Sequence, residues 1–497
     1  MSVSIFITFV STIVSSPEST GRYLRGAAID RRAQNRFMPI DLEHRLRTHA
    51  PLRAGRLAEL LGISRPTLSR AVRAASESLI VRGQARRRTY AARRPLRGAG
   101  SSLPVFEIDP SGNLRDVARL DLVYPEGSAM RYLDAFAWPM DVAMRDGWFE
   151  GLPYPMQDMR PQGFLGRNLA KHYAPMLQVG NDPTAWSDDD ALHVMTLLGD
   201  DTPGNLLVGE PACRRWLDRL RRITAHGPEA VPDDALDSAF PTKASLVMMD
   251  GLPDSSAGGE FPKFTALRQL ADGTHQHVIV KFSGSDDAPG TRRWSDLLIC
   301  EHLAGRILSA HLDIPAAASR IHQHGGRTFL EVDRFDRHGV LGRSPLISWF
   351  TLNATMVGSA GRPWHEAARP LQALGWLRAQ DLALIQHAWH FGELIANTDM
   401  HDGNLSLRPV TRADGSIGFA PAPIYDMLPM VYAPMRGMEL PPRDFRPKLP
   451  MPADVTSWGA AAIAAVAFWR SAANDTRISA AFRAIAERNA AHLTQLL

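Results

Sequence analysis

One segment of the 497-residue chain has the residue types and spacing needed for phosphoryl transfer. Asn397-Thr398-Asp399-Met400-His401-Asp402-Gly403-Asn404 follows an apolar run from Leu382 to Ile395. Moving a phosphoryl group requires a carboxylate beside the incoming hydroxyl and an amide oxygen on a divalent cation. Asp399 and Asn404 show the D-x-x-x-x-N spacing of a kinase catalytic loop. A polar turn closed by Asx hydrogen bonds is the alternative for the same residues. Further on, Asp426 ends the short apolar run Pro423-Ile424-Tyr425, where a second metal ligand belongs.

The nucleotide side of such a site lies upstream. Ser255-Ser256-Ala257-Gly258-Gly259-Glu260-Phe261-Pro262-Lys263 is a small-residue loop. Gly258 and Gly259 there let backbone N–H groups approach phosphate oxygens. An ordinary hairpin turn would look similar. His277-Val278-Ile279-Val280-Lys281 is a β-branched run ending in lysine, the way kinase-like folds bring an ammonium to phosphates. The chain has five lysines, at 171, 243, 263, 281 and 448, so arginine is its default cation and a lysine in a strand stands out. Glu301 sits in an apolar helical run, where a carboxylate is costly unless paired. Lys281 is its natural partner. Glycine loop, Lys, Glu, D-x-x-x-x-N and Asp in this order predict an ATP- and Mg²⁺-dependent phosphotransferase. The P-loop, the dinucleotide G-x-G-x-x-G, H-E-x-x-H and G-x-S-x-G are all missing. His365-Glu366-Ala367-Ala368-Arg369 stops short of the zinc motif at its fifth residue.

These groups need strands for the loop and lysine, a buried helix for Glu301 and a helical bundle to carry the catalytic loop. The pattern supplies them. Residues 246–345 read as strands with one helix around 294–311, within a kinase N-lobe-like part over 246–376. Residues 377–497 read as a helical C-lobe, and 104–245 alternate strands and helices. The predicted fold class is α+β: a two-lobed, protein-kinase-like unit behind a small winged helix-turn-helix. That winged unit spans 38–95, with 96–103 as a linker and 1–37 as a disordered leader or mis-assigned start. In it, Leu57 to Leu61 is helical, Gly62-Ile63-Ser64 turns, and Pro66 lies in the first turn of a second helix. Arg65, Thr67, Ser69 and Arg70 would face a major groove, and Arg86, Arg87 and Arg88 in the wing would meet phosphates.

Charge agrees with this division. Residues 40–100 carry fourteen Arg against four acids, whereas 101–497 carry 37 basic and 46 acidic residues. Split charge suggests split function: DNA for the first part and chemistry for the second. Cys213 and Cys300 stand alone, which excludes a disulfide scaffold and suits a reducing cytoplasm. The apolar run near Ser4–Val14 is too short to span a bilayer, so no membrane partner is expected.

The same residues resemble the HipA family of bacterial serine/threonine kinase toxins. Ser256 to Lys263 resembles its glycine loop, Asp333-Arg334-Phe335-Asp336-Arg337 its R-F-D-R segment, and Thr398 to Asn404 its T-D-x-H-x-x-N loop. Asp158 to Phe164 and Gly199 to Asn205 resemble its N-terminal subdomain. With a helix-turn-helix in front, the chain looks most like the YjjJ-like branch. The resemblance implies a protein substrate with a Ser or Thr acceptor. It also implies Lys281 on the phosphates, Asp399 as catalytic base, Asn404 and Asp426 on Mg²⁺, and Ser256 as an inhibitory autophosphorylation site. A fused DNA-binding unit departs from toxins that use a separate antitoxin, and points to self-regulation. A winged unit also predisposes to a homodimer. Two rivals remain: a DNA-binding regulator whose kinase domain only senses nucleotide, and a small-molecule phosphotransferase.

Overall fold

The computed structural model describes residues 38–49, 51–84, 87–249, 261–435 and 439–497. The expected leader 1–37, Arg86, and the glycine loop with Ser256, Gly258 and Gly259 lie outside the described residues.

Three short helices come first: Met38–Arg47, Ala54–Leu61 and Arg65–Ala74. Gly62 closes the second in the left-handed region at φ 61°, and its N–H returns to Ala58 O and Glu59 O. Ser64 caps the third by accepting from Thr67 N at 3.3 Å. Leu57 and Leu68 meet Leu42, Leu46 and Leu79 in a small core. Strands β1 (Leu52–Arg53), β2 (Leu79–Arg82) and β3 (Thr89–Arg94) flank these helices, with Leu79 opposite Ala92 and Leu52 opposite Tyr90.

Strand β3 runs on into the next unit. Arg93 and Arg94 pair with Val123 and Leu122. They join β4 (Leu103–Ile108), β5 (Leu114–Val123), β6 (Ser128–Tyr132), β7 (Trp148–Phe149) and β8 (Leu206–Val208) into one eight-stranded sheet. Residues 96–103 are therefore not the open linker expected from composition. Leu96 and Leu103 pack in the core with Val105 and Leu120, and Arg97 reaches Asp190 at 2.6 Å. Buried Asp121 on β5 takes Arg82 at 2.7 Å and Arg93 at 2.6 Å, so part of the basic excess is neutralised inside the molecule.

A second sheet forms the smaller lobe. It comprises β9 (Val231–Pro232), β10 (Lys263–Gln269), β11 (His275–Phe282), β12 (Ser319–His324) and β13 (Arg327–Asp333), in the order β12-β13-β11-β10-β9. All its pairs are antiparallel except β9 with β10. The lobe starts earlier than the expected residue 246. Strand β9 belongs to its sheet, and Phe240 of helix Leu236–Met249 fills a core with Phe264, Phe282 and Phe329. Helix Pro289–Leu312 lies between this sheet and helix Val455–Asn474.

The helical lobe also starts early, near 347 rather than 377. Ile347 pairs with Leu407, and Trp349, Leu352 and Trp364 share one core with Phe391, Phe468 and Trp469. Helices Ala379–Leu394, Val455–Asn474 and Ala480–Leu496 build it. The Ala-rich stretch of Val455–Asn474 buries Ala461, Ala462, Ala464 and Ala465, which lets the neighbouring helices approach closely. The whole is an α+β, kinase-like fold. No helix among the described residues is long and apolar enough to cross a membrane.

Candidate active site

Alternation along β11 decides where Lys281 points. Val278, Val280 and Phe282 face the Phe240 core, so Ile279 and Lys281 face the opposite side. There they wall a cleft of about 610 Å³ together with Lys263 and Thr265 of β10. Lys263 is the direct cross-strand partner of Lys281. Arg160, Pro161, Phe335, Tyr425 and Asp426 line the cleft as well.

The ammonium of Lys281 is buried and donates to Glu301 Oε1 at 2.7 Å and Oε2 at 2.8 Å, and also to Asp426 Oδ1. Glu301 is held there by helix Pro289–Leu312, whose neighbouring Leu297, Leu298 and Ile299 are fully buried. Burial opposes the charge on Lys281, but Asp426 and Glu301 outweigh it and raise its pKa. Burial raises the pKa of Glu301 against the attraction of Lys281. Asp426 goes the other way: against burial, Lys281 and Lys263 hold it below the usual carboxylate range. Two carboxylates thus share one ammonium. Asp426 itself sits at φ 55°, a left-handed conformation that costs a non-glycine residue energy and clusters at functional sites.

The segment 397–404 is fixed by its own polar groups. Asn397 Oδ1 accepts from Asp399 N at 3.0 Å, and Asn397 Nδ2 lies 3.4 Å from Asp426 O. Asn404 is buried and gives Nδ2 to Asp399 O at 2.6 Å. His401 Nδ1 accepts from Gly403 N at 3.0 Å, and the Asp399 carboxylate stands 4.0 Å from His401 Nε2 with 43% of its side chain exposed. Met400 seats the loop on the preceding helix against Gly392, where an added Cβ would collide with its sulfur. Tyr425 OH, beside Asp426, donates to Gly403 O at 2.7 Å.

The fold therefore brings Lys281, Glu301 and Asp426 into contact, sets Lys263 beside them, and ties the Asp399–Asn404 segment to Asp426 through Asn397. Two further groups matter that single-residue reasoning left without a role. Asp158 is buried and accepts from Ser348 N at 2.5 Å and from Ser348 Oγ and Thr351 Oγ1 at 2.7 Å each. Burial raises its pKa despite those donors. It pins residues 348–351 where Trp349 N meets Leu405 O at 2.7 Å, next to Asn404. The R-F-D-R segment latches the smaller lobe to residues 200–204. Arg337 donates to Gly204 O at 2.8 Å, Thr202 O at 2.7 Å and Asp201 at 2.9 Å, while Gly204 N donates to Asp336 at 3.0 Å. Burial, with Arg337 beside it, pushes the Arg343 guanidinium down to about 9. In sequence both segments stood out only by their resemblance to the HipA family, and their contacts span more than 130 residues.

In the N-terminal unit Arg65, Ser69, Arg70 and Arg88 are exposed, and Thr67 is half-buried. Thr67 Oγ1 is engaged by Ser64 Oγ at 2.9 Å and Arg70 at 3.4 Å. Arg87 pairs with Asp146 at 3.2 Å.

Residues 99–217 match the family described as the YjjJ-like toxin middle domain, and residues 255–495 match the HipA-like C-terminal domain. Fold and site thus define a HipA-type protein with a kinase-like fold. Toxin YjjJ of Escherichia coli (strain K12) is 37% identical over 451 residues, covering 90% of this chain and 96% of that protein. The chain belongs to the YjjJ-like toxin family. Among solved structures, it is similar to HipA of Shewanella oneidensis MR-1, seen in complex with HipB and operator DNA. That match has 16% identity and a TM-score of 0.46 over 78% of this chain and 97% of the other. The proinflammatory kinase CtkA of Helicobacter pylori is similar over 48% of this chain and 88% of its own, with 14% identity and a TM-score of 0.33.

Proposed function

We propose that the protein transfers the γ-phosphoryl group of ATP to a serine or threonine hydroxyl of a protein substrate. The observation that carries this reading is the buried Lys281–Glu301 pair with Asp426 on the same ammonium, at the wall of the cleft. Asp426, partly exposed at that wall, and the Asn404 amide offer oxygen donors of the kind a divalent cation takes. Asp426 and Asn404 would hold Mg²⁺, with the Asn404 amide already oriented by its bond to Asp399 O. Bound Mg²⁺ would supply charge neutralisation on the phosphates.

The chain's own residues do the rest. Glu301 holds Lys281 extended toward the cleft, so the ammonium can meet phosphate oxygens without searching rotamers. Lys263, opposite it, adds positive charge to the same wall. Asp399 orients the acceptor hydroxyl and takes its proton, and its exposure keeps it within reach of a protein side chain. Ser256, in the glycine loop, would be the self-phosphorylated residue that shuts the site. The unit 38–95 would bind DNA through Arg65, Thr67, Ser69, Arg70 and Arg88, with Arg86 and Arg87 in the wing, and self-association would pair two such units. Because β3 enters the middle sheet, occupancy of DNA and the position of the middle unit would be mechanically joined.

The test is incubation with γ-labelled ATP and Mg²⁺ beside Asp399→Asn, followed by phosphopeptide mapping. Label at Ser256 that falls by about 10²–10⁴-fold in the variant supports the kinase reading. Near-normal labelling by the variant moves the base to Asp402. No label at all, with nucleotide still bound, favours a DNA-binding regulator that senses ATP.

A further inference from the structure

Outside the residues that line the cleft, in the helical lobe, three metal-capable side chains converge. His365 comes from the short helix Trp364–Ala367, His390 from helix Ala379–Leu394, and Asp454 from the residue just before helix Val455–Asn474. One ligand atom of each lies within 4.8 Å of the other two. His365 is 4% exposed and His390 6%. Their rings sit 5.4 Å apart at 52°, tilted rather than stacked.

The nitrogens are what call for an explanation. His365 Nδ1 and His390 Nε2 are buried and have no hydrogen-bond partner among the described residues. Buried polar atoms in folded proteins are nearly always satisfied, and an orphan needs a reason. The other nitrogen of His390, Nδ1, faces Glu393 Oε2 at 3.4 Å, and Glu393 is steadied by Lys448 at 3.5 Å. A carboxylate on Nδ1 keeps the proton there and presents the Nε2 lone pair to the cluster. Metal-bound histidines are oriented by this kind of partner. Asp454 is steadied in turn by Gln386 Nε2, 2.8 Å from its Oδ1. The sequence run His365-Glu366-Ala367-Ala368-Arg369 lacks the second imidazole of a one-helix zinc motif, and His390 supplies it from another helix.

We propose that His365 Nδ1, His390 Nε2 and the Asp454 carboxylate form a binding site for a zinc-type divalent cation, with solvent completing the coordination. Two imidazoles and one carboxylate suit Zn²⁺, whereas Mg²⁺ prefers oxygen alone. The site is separate from the one proposed for Mg²⁺ in the cleft and does not depend on it. It ties together three segments of the lobe, one of them the helix that leads into the 397–404 loop.

The full chain, stripped with chelator and reconstituted with Zn²⁺ alone, is gel-filtered and assayed for metal. About one equivalent should remain, Co²⁺ in its place should give visible d–d absorption, and Zn²⁺ should raise Tm. His390→Ala should lose the metal and the Tm response. Asp454→Asn, at a half-buried position that leaves both imidazoles in place, should weaken binding at least tenfold while the apo protein keeps its near-ultraviolet dichroism. A reconstituted wild type that holds no zinc overturns the proposal. So does Asp454→Asn or His390→Ala retaining zinc as tightly as wild type.

Discussion

The side chain of Asn397 holds the backbone of Asp399: its Oδ1 accepts from Asp399 N at 3.0 Å, while its Nδ2 lies 3.4 Å from the carbonyl of Asp426. One buried amide therefore ties the segment with the proposed base to the segment with a proposed metal ligand. Asn397→Ala should cost about 1–3 kcal/mol of stability, because it leaves the part-buried Asp399 N–H and the Asp426 carbonyl without this partner. Its turnover should fall further than that loss explains, since the two segments lose their common reference. Urea titration and steady-state kinetics on the same preparation check this. Full activity in a destabilised variant would show that Asn397 serves the fold only.

Lys281 carries two carboxylates, which makes a double-mutant comparison informative. Lys281→Ala leaves buried Glu301 and half-buried Asp426 facing each other with only Lys263 as a nearby cation. The loss expected on breaking a buried pair is about 3–5 kcal/mol. Adding Glu301→Gln to Lys281→Ala removes one of the stranded charges and should recover part of that loss. Both variants should be inactive. Chemical denaturation near neutral pH decides it: a double variant less stable than Lys281→Ala alone contradicts the charge argument.

What sequence made legible was local. The β-branched run ending at Lys281, the apolar helix under Glu301 and the spacing from Asp399 to Asn404 all depend on neighbours within a few turns, and pattern reasoning reaches that far. Gly62 as a turn residue and Pro66 in the first turn of the next helix were legible for the same reason. Lobe boundaries were not. Strand β9 is two residues long and pairs with β10 across more than thirty residues, so it leaves no periodic signal. Residues 96–103 have linker composition, yet Leu96 and Leu103 are buried because β3 continues into a sheet the sequence does not announce. Asp158 with Ser348, and His365 with His390 and Asp454, are long-range meetings that no spacing rule reports.

The Asp336 latch should show in acid. Against burial, Arg334 and Arg337 hold the Asp336 carboxyl below its ordinary value of 3.8. A depressed carboxylate stabilises the fold above its unfolded-state pKa, and that contribution is lost as pH falls through the lower folded-state value. The stability gap between wild type and Asp336→Asn should therefore stay constant from about pH 7 to about pH 5 and close only below about pH 4. Denaturant midpoints across that range measure it. A gap that closes already at mildly acidic pH would mean that the arginines do not hold the ionised form.

The DNA binding proposed for residues 38–95 makes a prediction that separates two kinds of arginine. Arg65, Arg70, Arg87 and Arg88 are exposed, Arg87 with Asp146 at 3.2 Å, whereas Arg82 and Arg93 pair with buried Asp121. Only cations facing solvent can release counterions from a duplex. On nonspecific duplex DNA, Arg65→Ala with Arg70→Ala should weaken binding and reduce the salt slope by about 0.9 for each phosphate no longer neutralised. Arg87→Ala should change that slope less, because its charge is already met by Asp146. Arg82→Ala should destabilise the sheet instead, leaving Asp121 with one partner fewer. Fluorescence anisotropy at several salt concentrations, with Tm recorded for each variant, reads all three. An unchanged slope in the Arg65/Arg70 double variant would take helix Arg65–Ala74 out of the interface and leave the wing to hold the duplex.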